Sequence, residues 1–141
     1  MTDALPLTVA ALQAKIDASP FNAGMGITVT HADAKAEEVT MRIEMRPEFE
    51  RAHGTGQYHG GVISAFIDTV GDYALVVNRG GGVPTINYRT DFLRPASNTA
   101  LTGTAKVRRA GRTVAVVDID VYDDQGRLVA VGRGTYGTQV G

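Results

Sequence analysis

Cysteine is absent from the 141 residues, which removes disulfides, thiolate metal sites and a cysteine nucleophile together. Neither sign of charge dominates. Fourteen Lys and Arg against 15 Asp and Glu leave a net charge of -1, with no electrostatic case for nucleic acid or an anionic membrane. The histidines are only His31, His53 and His59, without the HxH or HxxxH spacing that points to zinc. No uninterrupted apolar run approaches the roughly 20 residues that cross a bilayer. Residues 1–16 carry Asp3 and Lys15 and lack the basic start and apolar block of a secretory signal. Low-complexity segments, internal repeats and linkers are missing as well. The expectation is one cytoplasmic domain over residues 1–141, large enough for a single core, with residues 1–20 as an N-terminal helix and lead-in.

What is present centres on residues 58–77. From Ile63, large apolar residues recur at Phe66, Ile67, Val70, Tyr73, Ala74 and Val77, a three-and-four spacing that predicts one long helix. Ser64, Asp68 and Asp72 are spaced by four and share one narrow face, where a carboxylate is largely out of water. A buried Asp needs a reason.

Around this helix the chain reads as strand. A short amphipathic helix over residues 8–18 is ended by Ser19-Pro20, and residues 21–24 read as a turn. Residues 26–30 and 37–46 form an expected antiparallel pair, and residues 47–58 are irregular. Gly80-Gly81-Gly82 supplies a left-handed stop after the helix. Residues 83–93, 100–109, 113–122 and 128–136 follow as strands, separated by turns at residues 109–112 and 123–126. The fold class is α+β: a long antiparallel sheet with one buried helix inserted after its first two strands.

His59-Gly60-Gly61 with Asp68 nine residues after the histidine, then Asp91-Phe-Leu-Arg-Pro-Ala96 and Arg109-Ala-Gly-Arg-Thr113, together resemble the hot-dog acyl-CoA thioesterases of the phenylacetate-pathway, PaaI-like group. The resemblance runs from about residue 24 to 138. It implies a curved sheet wrapped around the long helix, hydrolysis of an acyl-CoA to acid and free CoA, and no cofactor beyond the CoA of the substrate. It also implies paired subunits with sites at their boundary, often two dimers in a homotetramer. Asp68 maps to the family's acid. Thr85 maps to a Ser or Thr that hydrogen-bonds near the attacking water. His53 falls where the family typically has Asn or Gln, a departure that an imidazole, donor at one nitrogen and acceptor at the other, still allows to orient the thioester. The Arg109–Arg112 loop, with Gly111, maps to the nucleotide end of CoA, and the segment from Phe92 to Arg94 lies near it.

The residues support that chemistry without the family. Thioester hydrolysis needs donors aimed at the carbonyl oxygen and a carboxylate that activates water or attacks directly. The N–H groups of Gly60 and Gly61 begin a helix, so they are expected to be unpaired and to sit at its positive end. Arg109 and Arg112 bring guanidinium groups suited to phosphate. Gly60 and Asp68 are eight residues apart, about 12 Å of helical rise, too far to meet one thioester. A second copy with its helix antiparallel brings them together, and the two-fold axis creates two equal sites.

Plainer readings stand beside these. Asp68 satisfied by a hydroxyl, Asp72 as a structural acid, His59 as a helix cap, and Tyr58, Phe66 and Tyr73 as packing all fit the same pattern. A non-catalytic acyl-CoA binding module is the rival function. A hot-dog hydratase is another, although neither HFP nor DxNPxH occurs.

Overall fold

The computed structural model describes residues 4–141. Helix α1 (Val9–Ala18) starts at Thr8, whose hydroxyl accepts the Ala11 N–H at 3.1 Å. It stops at Ser19, and a second short helix, α2 (Pro20–Gly24), begins there at once. The expected turn at residues 21–24 is therefore helical. Ser19 ends one helix and caps the next through its hydroxyl, while Pro20 takes the first position, where its missing N–H costs nothing.

Strands β1 (Thr28–Asp33) and β2 (Glu38–Ile43) pair antiparallel, as the alternation requires. A 3-10 turn at Pro47–Phe49 interrupts the irregular stretch before helix α3 (Gly60–Arg79). Gly80, at φ 80°, ends α3 in the left-handed conformation and donates to the Val76 carbonyl at 2.8 Å. Then come β3 (Thr85–Phe92), β4 (Leu101–Ala110), β5 (Val114–Asp123) and β6 (Leu128–Gly137). All pair antiparallel in one six-stranded sheet of order β1-β2-β4-β5-β6-β3.

The sheet wraps α3. Ile63, Phe66, Ile67, Val70, Ala74 and Leu75 of the helix are buried against alternate residues of the strands, including Met41, Leu101, Ile119 and Val121. Each large side chain so buried contributes roughly 1.5–3 kcal/mol. Gly103 on β4 allows the close approach, because a Cβ there would meet the Phe66 ring at 2.8 Å. Among the described residues α3 alone matches a membrane span by length and hydropathy, yet its apolar side is the core of this sheet.

The two sheet edges are treated differently, and this matters for the site. At the start of β1, Gln13 of α1 donates to the Ile27 carbonyl at 3.0 Å and accepts the Val29 N–H at 2.7 Å, covering that edge. On β3, every residue except Thr90 is exposed, among them Ile86 at 56% and Phe92 at 55%. A bare strand edge, with its outward N–H and C=O groups unpaired, invites another strand.

Candidate active site

Two parts of the expected site are formed within one copy. The first is the acid. Asp68 lies half-buried on α3, and its Oδ1 accepts the Thr85 hydroxyl at 2.9 Å. Burial raises its carboxyl above the usual range, while the Thr85 hydroxyl bond and the nearby Tyr136 hydroxyl pull the other way. The Tyr136 hydroxyl donates to the main-chain carbonyl of Asp68 at 3.2 Å. One turn along, the Asp72 carboxyl is pushed up to about 7, chiefly by burial, against a main-chain hydrogen bond from Val83 and with the Asp68 charge adding to the rise. Neither carboxylate has an ion-pair partner among the described residues.

The second part is the start of α3. His59 is its N-cap, and Nδ1 of the imidazole accepts the Gly61 N–H at 2.8 Å. This corrects the expectation of two open amides: an N-cap side chain reaches the second helical N–H, so Gly61 is taken and only Gly60 remains without an acceptor among the described residues. His59 is held in turn by its own N–H, which donates to the Phe49 carbonyl at 2.8 Å. The Phe92 ring lies over Gly60, 3.2 Å from where a Cβ would stand. Arg51, Gln57, Phe92 and Arg94 line a groove of about 390 Å³ beside Gly60.

Within one copy these two parts stay apart, and so do the arginines. The Arg109–Arg112 hairpin is fastened to the Thr85 end of β3: Thr138 donates its N–H to the Thr113 carbonyl, and Gly137 donates to Pro84. Phe92 and Arg94 lie at the other end of β3, about 23 Å along an extended strand. The expectation that the hairpin neighbours Phe92 to Arg94 is thus not met inside a single chain. In the hairpin the Gly111 N–H is taken by the Val114 carbonyl, leaving the exposed Arg109 and Arg112 side chains, neither ion-paired among the described residues, to offer charge. His53 is exposed in the loop of residues 51–54 and touches neither Asp68 nor the helix start by hydrogen bond. Tyr58 and Phe66 are core, and the Tyr58 hydroxyl donates to the Thr99 carbonyl at 2.8 Å.

Between Gly60 and Asp68 runs a hydroxyl track that the sequence reading missed. Ser64 Oγ donates to the Tyr88 hydroxyl at 3.1 Å, and Thr90 Oγ1 donates to Ser64 Oγ at 3.4 Å. The period of two places Tyr88, Thr90 and Phe92 on one side of β3 but carries no sign of the helix residue they meet.

Comparison with known proteins agrees with this fold. Residues 55–130, just over half of the chain, match the thioesterase superfamily. The acyl-coenzyme A thioesterase PaaI of Escherichia coli is 33% identical over 112 residues, covering 78% of this chain and 76% of that one. The solved structure of E. coli PaaI, from the phenylacetic acid degradation operon, superposes with a TM-score of 0.81 at 26% identity, covering 94% of this chain and 92% of that one. A crystal structure of a protein from the thioesterase superfamily reaches a TM-score of 0.86 at 29% identity, over 92% of this chain and 96% of that one. The chain belongs to the thioesterase superfamily: it is a PaaI-like thioester hydrolase with a hot-dog fold.

Proposed function

We propose that the protein hydrolyses an acyl-CoA to the free acid and CoA, in a site shared by two copies docked through the bare β3 edge. One observation carries the shared site. If two α3 helices run antiparallel with Gly60 of one facing Asp68 of the other, the two-fold axis passes Ser64, midway between them. If two β3 edges pair antiparallel with Thr85 beside Phe92, the axis passes next to Tyr88, midway along that strand. Ser64 and Tyr88 are hydrogen-bonded to each other at 3.1 Å, so helix and strand independently support the same axis.

Such a pairing also joins the separated arginines. The hairpin with Arg109 and Arg112 from one copy comes beside Arg94 and Arg51 of the other, an array fitted to the phosphates of CoA. The homodimer is the smallest active unit, and an acyl-CoA substrate places its work in the cytoplasm.

In the reaction, the Gly60 N–H and the positive end of α3 hold the thioester oxygen as negative charge grows on it. Asp68 either removes a proton from water, whose oxygen then bonds to the carbonyl carbon, or bonds to that carbon itself before water releases the acid. In the first route the C–S bond breaks as the proton held by Asp68 passes to the departing thiolate. In the second the C–S bond breaks as the acyl–Asp68 anhydride forms, the thiolate takes a proton from solvent, and water then cleaves the anhydride to the acid and the free carboxylate. Thr85 holds the carboxylate in place. His59 acts through α3, fixing its first turn so that the Gly60 amide points outward. His53 reaches the thioester only across the subunit boundary.

The test is thiol release from a panel of acyl-CoAs. Wild type should turn over, and Asp68→Asn should lose roughly 10²–10⁴ in kcat while still binding substrate. Undiminished hydrolysis by the variant contradicts the role of Asp68; binding without turnover by the wild type favours an acyl-CoA binding module instead.

A further inference from the structure

Residues 58–61 form a ridge between two grooves of opposite chemistry. Tyr58 and Gly60 line the groove that holds Arg51 and Arg94. His59 and Gly61 line another, of about 540 Å³, whose other walls include Phe21, Met25, Phe49, Val62 and Ala65. The open Gly60 amide sits on the ridge. An acyl-CoA has the same order of parts: a polyanionic nucleotide, a thioester carbonyl, then the acyl group.

We propose that the groove between α2 and the first turns of α3 binds the apolar acyl chain of the substrate. This rests on the thioesterase reading above. Met25 and Phe49 are buried and make an apolar floor, while Phe21 stands 63% exposed at the lip, an aromatic held in water unless something covers it. The Ser19 cap and Pro20 fix α2 so that Phe21 stays there. Glu48 and Glu50 also border the groove, and their charge disfavours the phosphates of the nucleotide end. The other direction from Gly60, along the hydrogen-bonded hydroxyls of Ser64, Tyr88 and Thr90, leads to the two-fold axis, which the partner copy fills in the proposed dimer.

The experiment measures kcat/KM over straight-chain acyl-CoAs from acetyl to dodecanoyl. Wild type should gain about fourfold per added methylene until the groove is full. Phe21→Asp, a change at an exposed position, should flatten that slope, with longer chains losing progressively more than acetyl. Ala65→Leu, filling the groove from α3, should bring the plateau to shorter chains. Equal losses at every length, or an unchanged slope in both variants, overturns the acyl site. Absence of hydrolysis of any acyl-CoA by the wild type overturns the thioesterase reading beneath it, so the two failures are told apart.

Discussion

Replacing Asp72 with asparagine should stabilise the fold at pH 8 and have little effect near pH 4. The carboxyl is pushed up from 3.8 to about 7, first by burial, with the main-chain donor at Val83 opposing and the Asp68 charge adding. The sign follows from proton counting. Between the unfolded and folded values the native state binds more protons than the unfolded state, so stability falls as pH rises from about 4 to about 7 and is level above that. A difference of about three units at 1.36 kcal/mol each sets a ceiling of about 4 kcal/mol on what the ionised carboxyl costs at pH 8. Asparagine keeps an oxygen for the Val83 donor and removes the charge. For a domain of this size that ceiling corresponds to a rise in Tm on the order of 10 °C. Thermal melts of both proteins at pH 4, 6 and 8 measure it. The gain should open between pH 4 and 7; a gain equal at all three values, or a loss at pH 8, refutes the assignment of a desolvated, unpaired carboxylate.

Thr85→Val removes the 2.9 Å donor that holds the Asp68 carboxyl down. Its pKa should rise further, moving the acidic limb of kcat/KM to higher pH by up to about one unit, so that the loss is largest, up to about tenfold, on that limb and fades above it; an unmoved limb contradicts the contact's role. The double change Arg109→Ala with Arg112→Ala should raise KM for acyl-CoA roughly tenfold or more while leaving KM for a truncated thioester without the nucleotide nearly as it was. Equal effects on both substrates would place the hairpin's contribution elsewhere.

The long helix was legible because its apolar residues repeat at three and four, and the strands because their period of two is cut by Gly, Pro and Asp turns. Boundaries moved by at most a few residues. Ser19-Pro20 misled, since a pair that stops one helix also suits the start of another. The two-amide expectation failed for a local reason: a histidine before Gly-Gly is itself an N-cap. Side-chain neighbours on different elements were out of reach of periodicity. Thr85 was singled out through family resemblance, and its contact with Asp68 appears only once β3 lies against α3. Tyr88 and Thr90 went unnoticed because nothing in their spacing says which helix residue they will meet. The bare β3 edge was equally hidden, as strand order is not written in alternation.

Subunit complementation tests the shared site most directly. Asp68→Asn removes the acid; Gly60→Pro removes the donor N–H at the first helical position, where proline is tolerated. Each variant alone should be nearly inactive. Unfolded and refolded together at equal amounts, half of the dimers are mixed, and in each mixed dimer one site holds the intact Asp68 of one copy and the intact Gly60 of the other. Activity should recover to about a quarter of the wild-type value per site. Mixtures that remain as inactive as the separate variants, with exchange of subunits verified by mass, would contradict a site built from two copies.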